Sequence, residues 1–231
     1  MLIALSVSLC AQTPTPRFEA ASIKRSAPDA HGGRTLTSGG RFEVSFWTVM
    51  GLIEWAYDVK PFQVIGGPAW LQTPVTHDTE RFDVAAKTDA AVSTSQMRLM
   101  LQTLLAERFA LKLGRETREL PVFTLITGKS GPNFQETTGG DPSLLMYRGG
   151  LVGHGATMSQ LAAMLVRDRP VLDKTGLTGH YDFTLKWPDD DPNSPEIFTA
   201  IQEQLGLKLE ASKGPVEVLV IDSCSKQPSE N

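Results

Sequence analysis

Asp173, Lys174, Thr175 and Gly176 open the run DKTGLTG, and an aspartate in that setting can act as a nucleophile that accepts a phosphoryl group. The same letters can fold as a turn. Asp and Thr side chains hydrogen-bond backbone N–H groups close by in the chain, and Gly176 and Gly179 tolerate positive φ. The choice between nucleophile and turn depends on the elements that hold the run.

The run resembles the phosphorylation loop of P-type ion pumps, with Gly-Leu-Thr-Gly where the pumps have Gly-Thr-Leu-Thr. Such a pump needs a parallel Rossmann-like sheet, acidic loops for Mg²⁺ and membrane helices, and none of these is legible in the chain. A turn is therefore expected at Asp173. The four histidines, His31, His77, His154 and His180, form neither HxH nor HExxH, so no zinc ligand set is spelled out. There is no GxSxG nucleophile elbow, and no sequence motif calls for a cofactor. The acidic stretch 188–196 offers oxygen ligands without the alternating spacing of a calcium loop. It reads as a solvated loop ending in Ser194, an N-cap before Pro195.

Aromatic residues give the best candidate binding surface. Trp70 lies in GGPAWL beside Pro68, with Trp47, Trp55 and Tyr57 nearby, and loops on a rigid scaffold often carry function. Trp70 can equally cap the core at a sheet end. The alternative polar site comprises Asp173, His180, Asp182 and His154.

The elements that position these residues occur twice. Residues 48–67 lie over 157–176 without a gap, matching Thr48 with Thr157, Leu52 with Leu161, Pro61 with Pro170 and Gly67 with Gly176. RFDVAAK (81–87) then lies over HYDFTLK (180–186), 104–113 over 200–209, and 121–126 over 215–220. Four blocks in one order point to an internal tandem duplication. Each copy predicts a strand, a helix capped by Thr48 or Thr157 and stopped by Pro61 or Pro170, and a short strand at 62–65 or 171–172. An alternating strand follows (Phe82, Val84, Ala86; Tyr181, Phe183, Leu185), then a second amphipathic helix and a closing hairpin. Each half is thus β-α-β-β-α-β-β. The expected class is α+β, with mostly antiparallel sheets and helices packed on one face. The expected division is a signal remnant and spacer at 1–16, a first repeat with an added N-terminal strand at 17–127, a linker at 128–148, a second repeat at 149–223 and a frayed tail at 224–231.

Composition limits the function classes. The chain has 231 residues, 41% hydrophobic and 21% charged, with a net charge of −4 and no long basic run, which argues against a nucleic-acid partner. Residues 2–9 are apolar and lead into small residues, matching the h-region and cleavage region of a secretory signal cleaved after Ala11, although a basic n-region is missing. Removal of the signal takes Cys10 and leaves Cys224 as an unpaired thiol, with no disulfide framework. No later stretch is long and apolar enough to span a membrane as a helix.

The strings RETRELP (115–121) and TGLTGxYDF (175–183), with the order of blocks around them, are similar to the soil-associated protein family, an uncharacterised family of exported bacterial proteins. The resemblance covers nearly all of the chain after the signal. It implies no established activity and no catalytic residues. It does imply an extracytoplasmic sensing or interaction role, because related domains are fused to membrane sensor-peptidases. Each half also looks like the short signalling domains of secretins and TonB-dependent receptors, a likeness of element order alone. The leading expectation is an exported, non-enzymatic binding module for an extracytoplasmic protein, peptide or glycan. The alternative is an extracytoplasmic hydrolase with its site between the copies.

Overall fold

The computed structural model describes residues 15–27, 33–76, 78–138, 141–165, 168–187 and 195–230. Residues 1–14 of the expected signal and spacer (1–16), with Cys10 and Ala11, as well as His31, His77 and residues 188–194 of the acidic stretch, lie outside the described residues.

The chain is α+β. In order it forms β1 (Ala20–Arg25), β2 (Thr35–Ser38), β3 (Arg41–Trp47), α1 (Val49–Tyr57), β4 (Val64–Gly66), α2 (Ala69–Gln72), β5 (Phe82–Lys87), α3 (Thr94–Arg108) and β6 (Lys112–Thr127). It continues with β7 (Gln135–Glu136), β8 (Ser143–Tyr147), β9 (Gly150–Ala156), α4 (Met158–Met164), β10 (Val171–Asp173), β11 (Tyr181–Lys186), α5 (Pro195–Leu205) and β12 (Leu207–Ser223). The strands make three four-stranded sheets, ordered β1-β5-β3-β2, β10-β6-β12-β4 and β7-β11-β9-β8. The first and third are antiparallel, whereas β4 on β12 and β10 on β6 are short parallel pairs.

Two compact units result: residues 1–116 with 218–231, and residues 117–217. In the first, the inward side chains of β3 and β5 (Phe42, Val44, Phe82, Val84, Ala86) pack against Leu52, Ile53 and Ala56 of α1 and Leu101 and Leu105 of α3. In the second, Leu151, Phe183 and Leu185 pack with Leu161 of α4 and Ile201 and Leu205 of α5. Burial alternates strictly along β5 and β11, the period-2 pattern of half-buried strands. The caps fall where the threonines predict them. Thr48 Oγ1 accepts from Gly51 N–H and Thr157 Oγ1 from Gln160 N–H.

The expected closing hairpins do not form. Residues 112–127 and 207–223 are each one unbroken strand, β6 and β12. A tight hairpin needs left-handed backbone, and neither Gly114 nor Gly214 has positive φ. Instead β6 and β12 are hydrogen-bonded neighbours. The short strands match too: Val64 pairs with Leu219, while Asp173 pairs with Leu125, at corresponding places in the sequence blocks. Residues 128–148, read as a linker, supply β7 and β8 to the third sheet. The strand expected at 62–65 starts as a 3₁₀ turn at Pro61–Gln63 and becomes extended only at Val64.

The C-terminal segment does not fray. Ser225 N–H donates to Phe109 O at 2.7 Å and Ser229 N–H to Arg108 O at 2.7 Å, so the tail satisfies carbonyls that the end of α3 leaves open. Gln227 Nε2 donates to the Glu80 carboxylate at 3.1 and 3.2 Å, and Cys224 is buried. Burial pushes the Cys224 thiol up to about 11. Deleting residues 224–231 is expected to lower the stability of the first unit by about 2–4 kcal/mol, from several lost hydrogen bonds and one buried side chain. An unchanged urea midpoint for the truncated chain would show the tail to be dispensable.

α1 ends at Asp58, whose left-handed backbone (φ 55) closes the helix and whose carboxylate takes two 2.7 Å hydrogen bonds from Arg98. One turn earlier, half-buried Glu54 has its carboxyl raised above the ordinary value of 4.5 by burial, with Lys60 opposing. A carboxyl raised in the folded state favours folding below its unfolded pKa, and that contribution is lost as pH rises through the folded value. Glu54→Gln is therefore expected to melt higher than wild type at pH 7, with the gap closing below pH 4.5. A scan of melting temperature against pH for both proteins checks this.

Candidate functional site

The Asp173 run folds as a turn. Asp173 Oδ1 accepts from Thr175 N–H at 3.0 Å and Thr175 Oγ1 at 2.7 Å, and Oδ2 accepts from Ser159 Oγ on α4 at 3.0 Å. Thr175 is buried, and its hydroxyl oxygen accepts from Leu177 N–H in turn. Gly176 takes φ 74 as expected. Gly179 does not have positive φ; a side chain there would run into the Glu136 carboxylate and the Tyr181 hydroxyl. Both Asp173 oxygens thus accept hydrogen bonds from donors of its own chain.

His154, His180 and Asp182 do come together, around a bulge in β9. Register on β11 advances two residues, Tyr181 to Phe183, while β9 advances three, Ala156 to Gly153. Gly155, in the bulge, has φ 55 and donates its N–H to Asp182 Oδ1 at 2.8 Å. His180 Nδ1–H donates to Gly155 O at 3.0 Å. His154 Nδ1 lies 3.8 Å from Asp182 Oδ1, with its side chain 66% exposed. His154 and Asp182 also line an open cavity of about 370 Å³ with Phe134, Gln135 and Thr184. Among the described residues no group of three or more His, Cys, Asp or Glu is placed to hold a metal ion.

The first unit has the same device. Between Val44 and Trp47, β3 carries one residue more than β5. Phe46 has φ 64 and donates its N–H to Asp83 Oδ1 at 2.9 Å. Ser26 Oγ donates to the same oxygen at 2.6 Å, and the Arg81 guanidinium lies 4.4 Å over the Phe46 ring. In both units the bulge sits two residues before the threonine that caps the next helix, so the carboxylate sets the angle at which strand becomes helix. Asp83→Ala and Asp182→Ala should each lose about 1–2 kcal/mol, because a bulge N–H is left without its acceptor. Asn at either position should recover most of the loss in chemical denaturation; full stability in the Ala variants would remove the carboxylates from this role.

The aromatic residues separate into two groups. Trp47 packs edge-on against Phe42 at 6.4 Å and belongs to the rim of the core. Tyr57 ends α1, about 12 Å along the helix axis from Val49 at its start, and burial pushes its hydroxyl up, with Arg115 opposing. Neither is among the residues that line the cavity beside Trp70. Pro68 caps α2, the short helix that carries Trp70. Trp70 is half-buried and forms one wall of a cavity of about 320 Å³ at the start of α1, together with Met50, Pro74, Val75 and Lys226. Val75 is 59% exposed, the apolar lip of an otherwise polar loop.

The polar groups around this cavity are already engaged. Thr48 Oγ1 holds the α1 cap, and Thr79 Oγ1 accepts from Thr76 N–H at 2.8 Å. Glu80 accepts from Arg25 at 2.8 Å and from Gln227, with Lys226 Nζ at 3.8 Å. What remains on offer is apolar surface and the indole face. The sequence pointed to Trp70 and Pro68 but missed Met50, Val75 and Lys226. The lone valine in TPVT was the available signal for Val75, whereas Lys226 reaches the cavity only through the folded-back tail.

No curated protein and no solved structure matches the chain. A family model matches residues 50–224, most of its length, and the chain belongs to that family, described as a protein of unknown function (DUF3738).

Proposed function

We propose that the chain is a non-enzymatic binding module that works outside the cytoplasm and takes an apolar group of an extracytoplasmic peptide, protein or glycan into the Trp70 cavity. The observation that carries the reading is the cavity's chemistry: indole, thioether and aliphatic walls, inside a rim whose carboxylate and hydroxyls are already satisfied. Its volume is that of a small-ligand or side-chain pocket. The hydrogen bonds to Asp173 support the same reading, because they occupy the carboxylate that the sequence offered as a nucleophile. Export rests on the apolar run at 2–9 and on the resemblance to the soil-associated family. The matched bulges, caps and short strands also support descent of the two units from one duplicated ancestor. No helix among the described residues is long and apolar enough to cross a membrane.

Titration with short peptides carrying a single Trp, Phe or Leu, and with cell-wall oligosaccharides, followed by tryptophan fluorescence, tests the proposal. At least one probe should saturate, and Val75→Asp should weaken it at least about tenfold by setting a charge at an apolar site. Saturation by none of them, or binding indifferent to Val75→Asp, would eliminate the cavity as the site. Turnover of model esters, amides or glycosides that disappears in His154→Ala would favour the hydrolase instead.

A further inference from the structure

The β11 edge that faces β7 is filled at two rungs and open at the one between them. Antiparallel strands turn alternate residues to alternate neighbours. Trp187 N–H donates to Gly149 O at 2.9 Å, so the odd-numbered residues of β11 face β9. The N–H and C=O groups of Asp182, Thr184 and Lys186 therefore face the other way. β7 takes up this side only briefly. Thr137 N–H donates to His180 O at 2.8 Å, and Gln135 stands opposite Asp182. Asn133 would come next, opposite Thr184, but its N–H donates to Leu205 O at 2.9 Å instead.

The rung at Lys186 shows how such an edge is completed without a strand. Gln204, near the end of α5, reaches it with its side-chain amide. Oε1 accepts from Lys186 N–H at 3.0 Å, and Nε2 donates to Lys186 O at 2.7 Å. A primary carboxamide can do this because its oxygen and one of its N–H groups lie on the same side. Thr184 has no such partner among the described residues. It borders the open cavity of about 370 Å³, together with Asn133, Phe134, Gln135 and Leu205. A backbone donor and acceptor of fixed spacing thus face a space large enough for a small ligand.

We propose that the notch at Thr184 binds a primary carboxamide: the side chain of a Gln or Asn, or the amidated end of a peptide. Its oxygen accepts from Thr184 N–H and its syn N–H donates to Thr184 O, repeating the arrangement that Gln204 makes at Lys186. Phe134 and Leu205 supply apolar wall for the carbon chain behind the amide. The dimensions exclude a longer strand. Asp182 and Lys186 lie about 13 Å apart along β11, and both of their rungs are filled, so the width of a single rung is free. A trans peptide bond points its C=O and N–H in opposite directions and cannot reach both groups of one residue. A carboxylate has no hydrogen to donate and would meet the charge of Asp182, the one carboxylate in a lining without lysine or arginine. The site therefore selects amide over acid. It belongs to the second unit and does not depend on the Trp70 cavity.

Hydrogen exchange and ligand titration, both read from the amide resonances of the isotope-labelled full chain, test the proposal. In the free protein Thr184 N–H should exchange at least about a hundredfold faster than those of Phe183 and Leu185, which face β9. The probes are N-acetylglutamine N-methylamide against its glutamate counterpart, and trialanine with and without a C-terminal amide. The carboxamide member of each pair should shift the Thr184 resonance, with a dissociation constant of about 1–20 mM for so small a ligand. The acid member should bind at least about tenfold more weakly. Thr184→Val keeps the backbone and should bind like wild type, whereas Thr184→Pro removes the N–H without touching the β9 ladder and should not bind. Should the proline variant fail to fold, the wild-type exchange rate and the preference for amide over acid decide. A slowly exchanging Thr184 amide, equal response to amide and acid, shifts confined to the Trp70 cavity, or binding retained by a folded Thr184→Pro overturns the proposal.

Discussion

A backbone N–H turned out of a β-ladder must find another acceptor, and in both units an aspartate on the neighbouring strand provides it. Asp83 serves Phe46 and Asp182 serves Gly155, at a left-handed residue two places before a helix-capping threonine. The bulge ends the strand, redirects the chain and delivers Thr48 or Thr157 to its cap. Everything downstream in each unit depends on that geometry: the helix that covers the sheet and the short parallel strand that follows. Glycine bears the left-handed backbone without strain, whereas Phe46 does not. The first unit compensates with a second donor on Asp83 and a guanidinium stacked on the Phe46 ring.

One frame thus carries two differently finished surfaces. The outward face of β5 shows Asp83, Ala85 and Lys87, flanked by Ser22, Lys24 and Glu43, and is polar apart from Ala85. On β11 the corresponding face shows Asp182, Thr184 and Lys186, but Val152, Leu145 and Tyr147 follow toward the β8 edge. The shared carboxylate belongs to the frame, and the residues that differ belong to whatever each face meets. His154 stands beside this shared carboxylate, 3.8 Å from Asp182 Oδ1. The carboxylate is already committed to a backbone N–H, and the imidazole lies largely in solvent.

Much of this was legible in the residues. Thr48, Thr157 and the prolines that follow marked the first helices, because caps and stops are local signals. Alternation at Phe82, Val84 and Ala86, and at Tyr181, Phe183 and Leu185, marked the central strands for the same reason. The turn at Asp173 followed from Asx and threonine chemistry within seven residues. Local signals misled at the closing hairpins expected at the end of each copy. There the pairing of β6 with β12, segments about a hundred residues apart in sequence, kept the backbone extended. The tail and the cavity were hidden in the same way. Ser225 and Ser229 meet the end of α3 across more than a hundred residues, and no spacing in the sequence announces that contact. β8 sat inside a stretch whose Gly and Pro content read as linker.

The first unit is discontinuous along the polypeptide, and this sets an order of events during synthesis. Residues 117–217 form one uninterrupted stretch, so the second unit has all its parts once Glu217 has emerged from the ribosome. The first unit, although made earlier, must wait with β4 lacking its neighbour until Leu219, Val220 and Ile221 arrive. Its core lacks Leu219, Ile221 and Cys224 until then, so the unit whose synthesis starts first is the last to receive all of its parts.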